Sequence, residues 1–257
     1  MRKFWNRLAF ERELWERGLQ CVAGVDEAGM GPLAGPVVAA AVQFPCTWLE
    51  SGLPTKFRGL NDSKQLLEEE REKFYKLIIE HGEIKFGIAR VEVETIDQIN
   101  ILQAAHRAMN LALDQLQPAA QHALVDGRPV KSLRIRHTPL IKGDARSYSI
   151  AAASVLAKVT RDRVMVEFDL QFPGYGFAEH KGYSTPQHLA AIKALGPCAI
   201  HRMTYAPLRP VELELFDEAL LETATPESIP AAPELLAGLP LNALNQAQLP
   251  PPVAPPA

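Results

Sequence analysis

Cysteine is scarce in this chain of 257 residues: only Cys21, Cys46 and Cys198 occur. Their odd number and isolation speak against a disulfide framework and against a zinc site, and they fit a reduced cytoplasm. Long apolar runs are missing as well. The longest, Leu33 to Val42, is broken by Gly35 and Pro36, so no membrane span is expected. The basic opening, Arg2, Lys3 and Arg7, leads into Glu11, Arg12, Glu13 and Glu16 rather than into the apolar core of a secretion signal. Lys and Arg are absent after Arg209, where Glu212, Glu214, Asp217, Glu218, Glu222, Glu227 and Glu234 stand. The overall charge of −3 therefore hides a basic portion before that point, which suits a polyanionic partner.

What is present is ordinary globular composition, with 47% hydrophobic and 22% charged residues, enough for a sizeable core. Phe4, Trp5, Leu8, Leu14 and Trp15 predict an amphipathic helix over 4–17. Cys21 to Asp26 and Pro36 to Phe44 read as buried strands joined by the glycine-rich turn Gly29-Met30-Gly31-Pro32. Ser63 is the expected N-cap of a helix reaching Glu80. Ile84 to Val93 predicts a strand, and Thr95 to Leu116 one long helix. Ala123 to Asp126 and Leu133 to Ile141 predict two more strands. Ser147 to Gln171 and Pro186 to Leu195 predict helices. Strands first, then strands alternating with helices, imply one layered α/β domain. Residues 210–223 are expected to hold a terminal helix. Residues 224–257 carry nine of the 21 prolines and are expected to form a disordered acidic tail.

Carboxylates mark where chemistry could occur. Asp26 and Glu27 end one apolar strand, Asp126 ends another, and Asp144 precedes the long helix. Acids at strand ends converge above a sheet, and crowded carboxylates either gain protons or demand a cation. Oxygen ligands without His or Cys select Mg²⁺ or Mn²⁺, the ions of phosphoryl transfer. A lone Asp-Gly is usually only a turn, and spacing does not prove that these acids meet. The residues by themselves support a metal-dependent phosphoryl-transfer enzyme and nothing finer.

A longer stretch carries more. The run from Ala23 through Asp26, Glu27, Gly29, Met30 and Gly31 to Ala41 resembles the opening motif of bacterial ribonuclease HII. Leu60-Asn61-Asp62-Ser63-Lys64, Val125-Asp126-Gly127 and Ile141-Lys142-Gly143-Asp144-Ala145 are similar to the same family in the same order. So are Ser149 to Arg163, Tyr175 to Tyr183, and His201-Arg202. The resemblance spans about residues 8–209. It implies an RNase H-like fold, a mixed central sheet flanked by helices, with a small C-terminal helical portion and the N-terminal helix packed on the core. It further implies an endonuclease that cuts RNA–DNA hybrids and single ribonucleotides embedded in duplex DNA, leaving 3′-hydroxyl and 5′-phosphate ends.

The same resemblance makes Asp26, Glu27, Asp126 and Asp144 the ligands of two Mn²⁺ or Mg²⁺ ions. Asp26 would bridge the ions, Glu27 and Asp126 would serve the leaving-group side, and Asp144 the water side. Gly29, Met30 and Gly31 would line the minor groove at the ribonucleotide, Tyr183 would pack on the following sugar, and Lys64, Lys142 and Lys181 would meet phosphates. Met30 departs from the family's usual Arg. That implies weakened preference for single ribonucleotides, unless another cation supplies the charge. A hybrid-binding relative without catalysis is the remaining alternative. Glu212-Leu213-Glu214-Leu215-Phe216 is similar to a short peptide that binds the replication sliding clamp, although its leading Gln is Glu here. The expected protein is a cytoplasmic monomer.

Overall fold

The computed structural model describes residues 7–209. Its elements are α1 (Ala9–Glu16), β1 (Val22–Ala28), β2 (Val37–Gln43), α2 (Trp48–Ser51), α3 (Glu68–Ile79), β3 (Lys85–Val91), α4 (Val93–Ile99), α5 (Ile101–Asp114), β4 (His122–Asp126), β5 (His137–Leu140), α6 (Tyr148–Gln171), α7 (Phe177–His180) and α8 (Pro186–Leu195). The strands form one mixed sheet in the order β3-β2-β1-β4-β5. β1, β2 and β3 are antiparallel neighbours, while β4 and β5 run parallel to β1.

The sheet is buried on both faces, which is why β2 reads as an unbroken apolar run. Val38, Ala40 and Val42 join the core under α6; Val37, Ala39 and Ala41 join the core under α5. Ala151, Ala152, Ala153 and Ala157 let α6 approach the sheet closely. At Gly24 the approach is backbone to backbone. A Cβ there would lie 2.1 Å from the carbonyl carbon of Ser149.

Three expected elements differ. The helix at Ser63 starts instead at Glu68. Ser63 is buried, and its hydroxyl lies 2.9 Å from that of Ser154 rather than capping a helix. Glu70 closes the first turn by accepting from the Leu67 N–H at 2.9 Å. The single helix expected over 95–116 is two. Asn100 sits at φ +64° between α4 and α5, and its side chain accepts from the Gln103 N–H to start α5 anew. β5 is shorter than 133–141. Of the 4–17 helix, residues 9–16 are helical and 4–6 lie outside the described residues, as do the helix expected at 210–223, the tail and the clamp-like peptide. Among the described residues no helix is long and apolar enough to cross a membrane.

α1 is tied to the start of α6. Its fully buried Glu11 accepts from the Ser147 hydroxyl (2.6 Å), the Ser149 hydroxyl (2.6 Å) and the Ser149 N–H (3.0 Å). An anion at a helix N-terminus is favourable and the serine hydrogen bonds hold the Glu11 pKa down, but burial outweighs them and raises it. Glu11→Ala leaves these donors without an acceptor. It is expected to cost about 1–3 kcal/mol in chemical denaturation; an unchanged midpoint would show that water replaces the carboxylate.

Candidate active site

Register, not spacing in the chain, creates the site. β1 and β4 pair in parallel with Val25 opposite Val125, so the next residues, Asp26 and Asp126, stand side by side at the strand ends. β4 pairs with β5 through Asp126 and Leu140, and the chain then turns through Lys142 at φ +55° into the short 3-10 turn Gly143–Ala145. That turn brings Asp144 to the other two. One carboxylate oxygen each of Asp26, Asp126 and Asp144 lies within 4.8 Å of the others.

Backbone donors aim these groups. The Gly143 N–H donates to Asp126 Oδ1 at 2.6 Å, the Ala145 N–H to Asp144 Oδ1 at 2.8 Å, and the Glu27 N–H to Asp26 Oδ1 at 2.7 Å. Ser154 of α6 bonds Asp26 and is in turn held by Ser63. Arg7 donates to the backbone carbonyl of Asp144 at 2.5 Å and to that of Leu60, so the segment before α1 braces the turn.

The electrostatics are those of buried carboxylates crowded together. Burial, then Glu27 and Asp126, push the Asp26 pKa well up. Burial, then Asp126, raises Glu27 to about 7. Burial, then Asp126 and Asp62, raise Asp144. Burial pulls the Lys64 ammonium down, but Asp62, Asp26, Asp144 and Asp126 outweigh it and leave its pKa raised. Hard oxygen donors in this number and spacing fit a divalent ion such as Mg²⁺ or Mn²⁺. Glu27 borders the three-carboxylate group, close enough to repel Asp26 and Asp126, without joining it at that spacing.

The remaining expected residues fall into two places. Lys64 faces the carboxylates. Gly31 and Tyr183 are neighbours, since a Cβ on Gly31 would lie 4.0 Å from the Tyr183 ring, which is 43% exposed. Gly29 is buried at φ +100°. Met30 is half-buried and packs against the apolar core under α5. Lys142 is exposed, and the Lys181 ammonium donates to the Ala178 carbonyl. Sequence reasoning did not single out Arg161 and Arg202, which are almost fully buried. Nothing local set Arg161 apart, since Lys158 and Arg163 stand beside it in the same helix.

Comparison with known proteins comes to the same point. The family profile described as Ribonuclease HII matches residues 23–207. Ribonuclease HII of Ruminiclostridium cellulolyticum is 50% identical over 205 residues, covering 80% of this chain and 77% of the relative. That of Caldanaerobacter subterraneus is 47% identical over 196 residues, covering 76% and 78%. Among solved structures, the ribonuclease H2 of Pyrococcus horikoshii superposes with a TM-score of 0.61 at 28% identity, covering 73% of this chain and 95% of that one.

Proposed function

The chain belongs to the ribonuclease HII family, a metal-dependent ribonuclease family acting on RNA–DNA hybrids, and from that premise we propose that it hydrolyses the RNA strand of such hybrids and single ribonucleotides embedded in duplex DNA. The products end in 3′-hydroxyl and 5′-phosphate. One observation carries this reading: Asp26, Asp126 and Asp144, from three separate stretches of chain, gather at the strand ends with Glu27 beside them. These four would hold two Mg²⁺ or Mn²⁺ ions. When bound, the ions neutralise the carboxylates and supply Lewis acidity to an in-line phosphodiester displacement. The chain's own groups do the positioning. The Gly143, Ala145 and Glu27 N–H groups hold the carboxylates in place, so little reorganisation remains for the reaction. Lys64 offers a cation beside them for a substrate phosphate. Tyr183 and Gly31 offer a flat wall and a bare backbone where a sugar can lie.

The deciding experiment is cleavage of a long hybrid and of a single-ribonucleotide duplex, with Mg²⁺, with Mn²⁺ and with EDTA. Cutting of both substrates with either ion, and none with EDTA, is expected. Binding of the hybrid without cleavage would identify the non-catalytic relative instead. Weakened single-ribonucleotide cleavage is the second reading, and the packing of the Met30 side chain into apolar surroundings favours it. It holds only if nothing else charges the loop.

We also propose that residues 224–257 are dispensable for the chemistry and that the cytoplasmic chain acts as a monomer. The charged side chains of that stretch, Glu227 and Glu234, are both acidic and would repel nucleic acid. Deleting 224–257 is expected to leave kcat/KM unchanged on both substrates; a change above twofold would give the tail a role. Clamp binding through Glu212 to Phe216 is tested separately, by pull-down with purified clamp of the full chain and of Leu215→Ala plus Phe216→Ala. Equal capture of both disposes of it.

A further inference from the structure

Three histidines with no part in the nuclease reading are buried together: His180 at the end of α7, His188 in α8 and His201 beyond it. His180 and His188 stack with ring centroids 4.4 Å apart, and the Phe177 ring packs against all three. Hydrogen bonding fixes the proton on each ring. His201 Nδ1 receives the Cys198 N–H at 2.9 Å, so that nitrogen is bare and the proton sits on Nε2. His201 Nε2 lies 3.1 Å from His188 Nε2, which is therefore the acceptor. The His188 proton is then on Nδ1, and it is donated to the Tyr183 carbonyl at 2.9 Å. His180 grips the same turn from its other end: Nδ1 receives the Gly182 N–H at 3.1 Å and Nε2 donates to the Tyr175 carbonyl at 2.8 Å. Every ring nitrogen has a partner, and each ring carries one proton and one bare nitrogen. Burial, then His188, holds the His201 pKa down at about 4, and burial lowers that of His188.

The turn these rings hold is strained, and it carries Tyr183. Between His180 and Tyr183 the backbone passes through Lys181 at φ +52° and Gly182 at φ +81°. A left-handed lysine costs conformational energy that its surroundings have to offset. At Gly182 a Cβ would lie 2.6 Å from the Ala34 carbonyl oxygen, so the backbone has no room to relax that way. The Tyr183 N–H closes the turn onto the His180 carbonyl at 3.0 Å. The Tyr183 carbonyl accepts from the Thr185 N–H (2.8 Å) as well as from His188, which fills both of its lone pairs. The Tyr183 ring is 43% exposed beside Gly31, so its backbone, more than contacts of the ring, sets where it points. Resting on the nuclease reading, we propose that His188, backed by His201, is a positioning residue: its Nδ1 proton holds the Tyr183 backbone so that the ring stands as a wall for a substrate sugar.

The test uses the full chain with Mg²⁺ at fixed salt and a duplex with one embedded ribonucleotide. Asn and Gln at position 188 separate the two ring nitrogens. The Asn amide falls near the place of Nδ1 and keeps a donor for Tyr183; the Gln amide falls near that of Nε2 and keeps only the partner of His201. His188→Gln is expected to lower kcat/KM about tenfold, as Tyr183→Ala does, and His188→Asn less than about threefold. The double variant His188→Gln plus Tyr183→Ala should fall no more than about twofold below Tyr183→Ala alone, because both act through one ring. A histidine that only supports the fold gives the opposite, with Asn no better than Gln and losses that multiply to about a hundredfold. Either result, or wild-type kcat/KM in folded His188→Gln or in Tyr183→Ala, overturns the proposal. If the variants at 188 do not fold, proton–nitrogen NMR of the imidazoles in the wild-type chain decides: His188 protonated on Nδ1 and His201 on Nε2 are expected, and the reverse tautomers overturn the proposal. A wild-type chain that fails to cut the duplex overturns the nuclease reading instead.

Discussion

Asp26→Asn is expected to abolish cleavage, by at least about a thousandfold in kcat or about 4 kcal/mol, while the chain remains folded. Asp26 is the most deeply placed acid of the site and lies against both Glu27 and Asp126. Removing its charge takes away a ligand and also relieves repulsion, so the metal-free variant should melt above wild type. The pH dependence fixes the sign. Asp26 and Glu27 have folded pKa values above their unfolded ones, Glu27 at about 7. The Glu27 contribution is complete below about pH 4 and is lost as pH rises through about 7, and the Asp26 contribution is lost in the same direction. The melting advantage of Asp26→Asn should therefore grow from pH 5 to pH 8. His201 works in the opposite sense, its pKa lowered to about 4 by burial and then by His188, but it is common to both proteins and cancels in the difference. Mg²⁺ or Mn²⁺ should raise the wild-type melting temperature by mass action, and that of the variant much less. Near-normal cleavage by purified Asp26→Asn, or an equal metal-induced rise in both, would remove Asp26 from the site.

The acids could be read from the sequence because strand ends are legible: apolar runs stop at Asp26 and Asp126 and a glycine follows shortly. That the two stand side by side was not legible. It depends on β4 joining the sheet beside β1 in one register, with Ala123 and Val125 entering the same core as α5, and no local signal announces it. Asp144 needed the left-handed turn at Lys142, which no residue preference announces. Ser63 was misread because a Ser before an acidic stretch is the signature of a cap, and only the fold shows its hydroxyl turned inward to Ser154. The break at Asn100 was hidden because apolar periodicity continues across it. Arg161 and Arg202 are the plainest case. A sequence gives the number of charges, but not that a guanidinium is buried against backbone carbonyls and, for Arg202, a tyrosine hydroxyl as well.

Gly24→Ala carries the second large effect, and it reaches the site through the fold. Gly24 lies in the middle strand, paired to Val42 on one side and Leu124 on the other, so the strand cannot slide to relieve a contact. The added Cβ would stand 2.1, 2.3 and 2.5 Å from Ser149 C, Ile150 N and Ser149 O. These are backbone atoms of the first turn of α6, which cannot rotate away as a side chain would. Overpacking against side chains costs about 1–3 kcal/mol. Here the helix itself must lift, so at least about 3 kcal/mol is expected, lowering the melting temperature by roughly 10 °C. Gly82→Ala, where nothing lies within 4 Å, is the control and should stay within about 0.5 kcal/mol. Lifting α6 also separates Ser154 from Asp26 and pulls on the turn that carries Asp144. Any folded Gly24→Ala should therefore need a higher divalent-ion concentration for half-maximal cleavage, which a purely global loss of stability would not produce at a temperature well below melting. Melting within 2 °C of wild type would show that the strand and helix part without cost. The close approach would then be no constraint on the site.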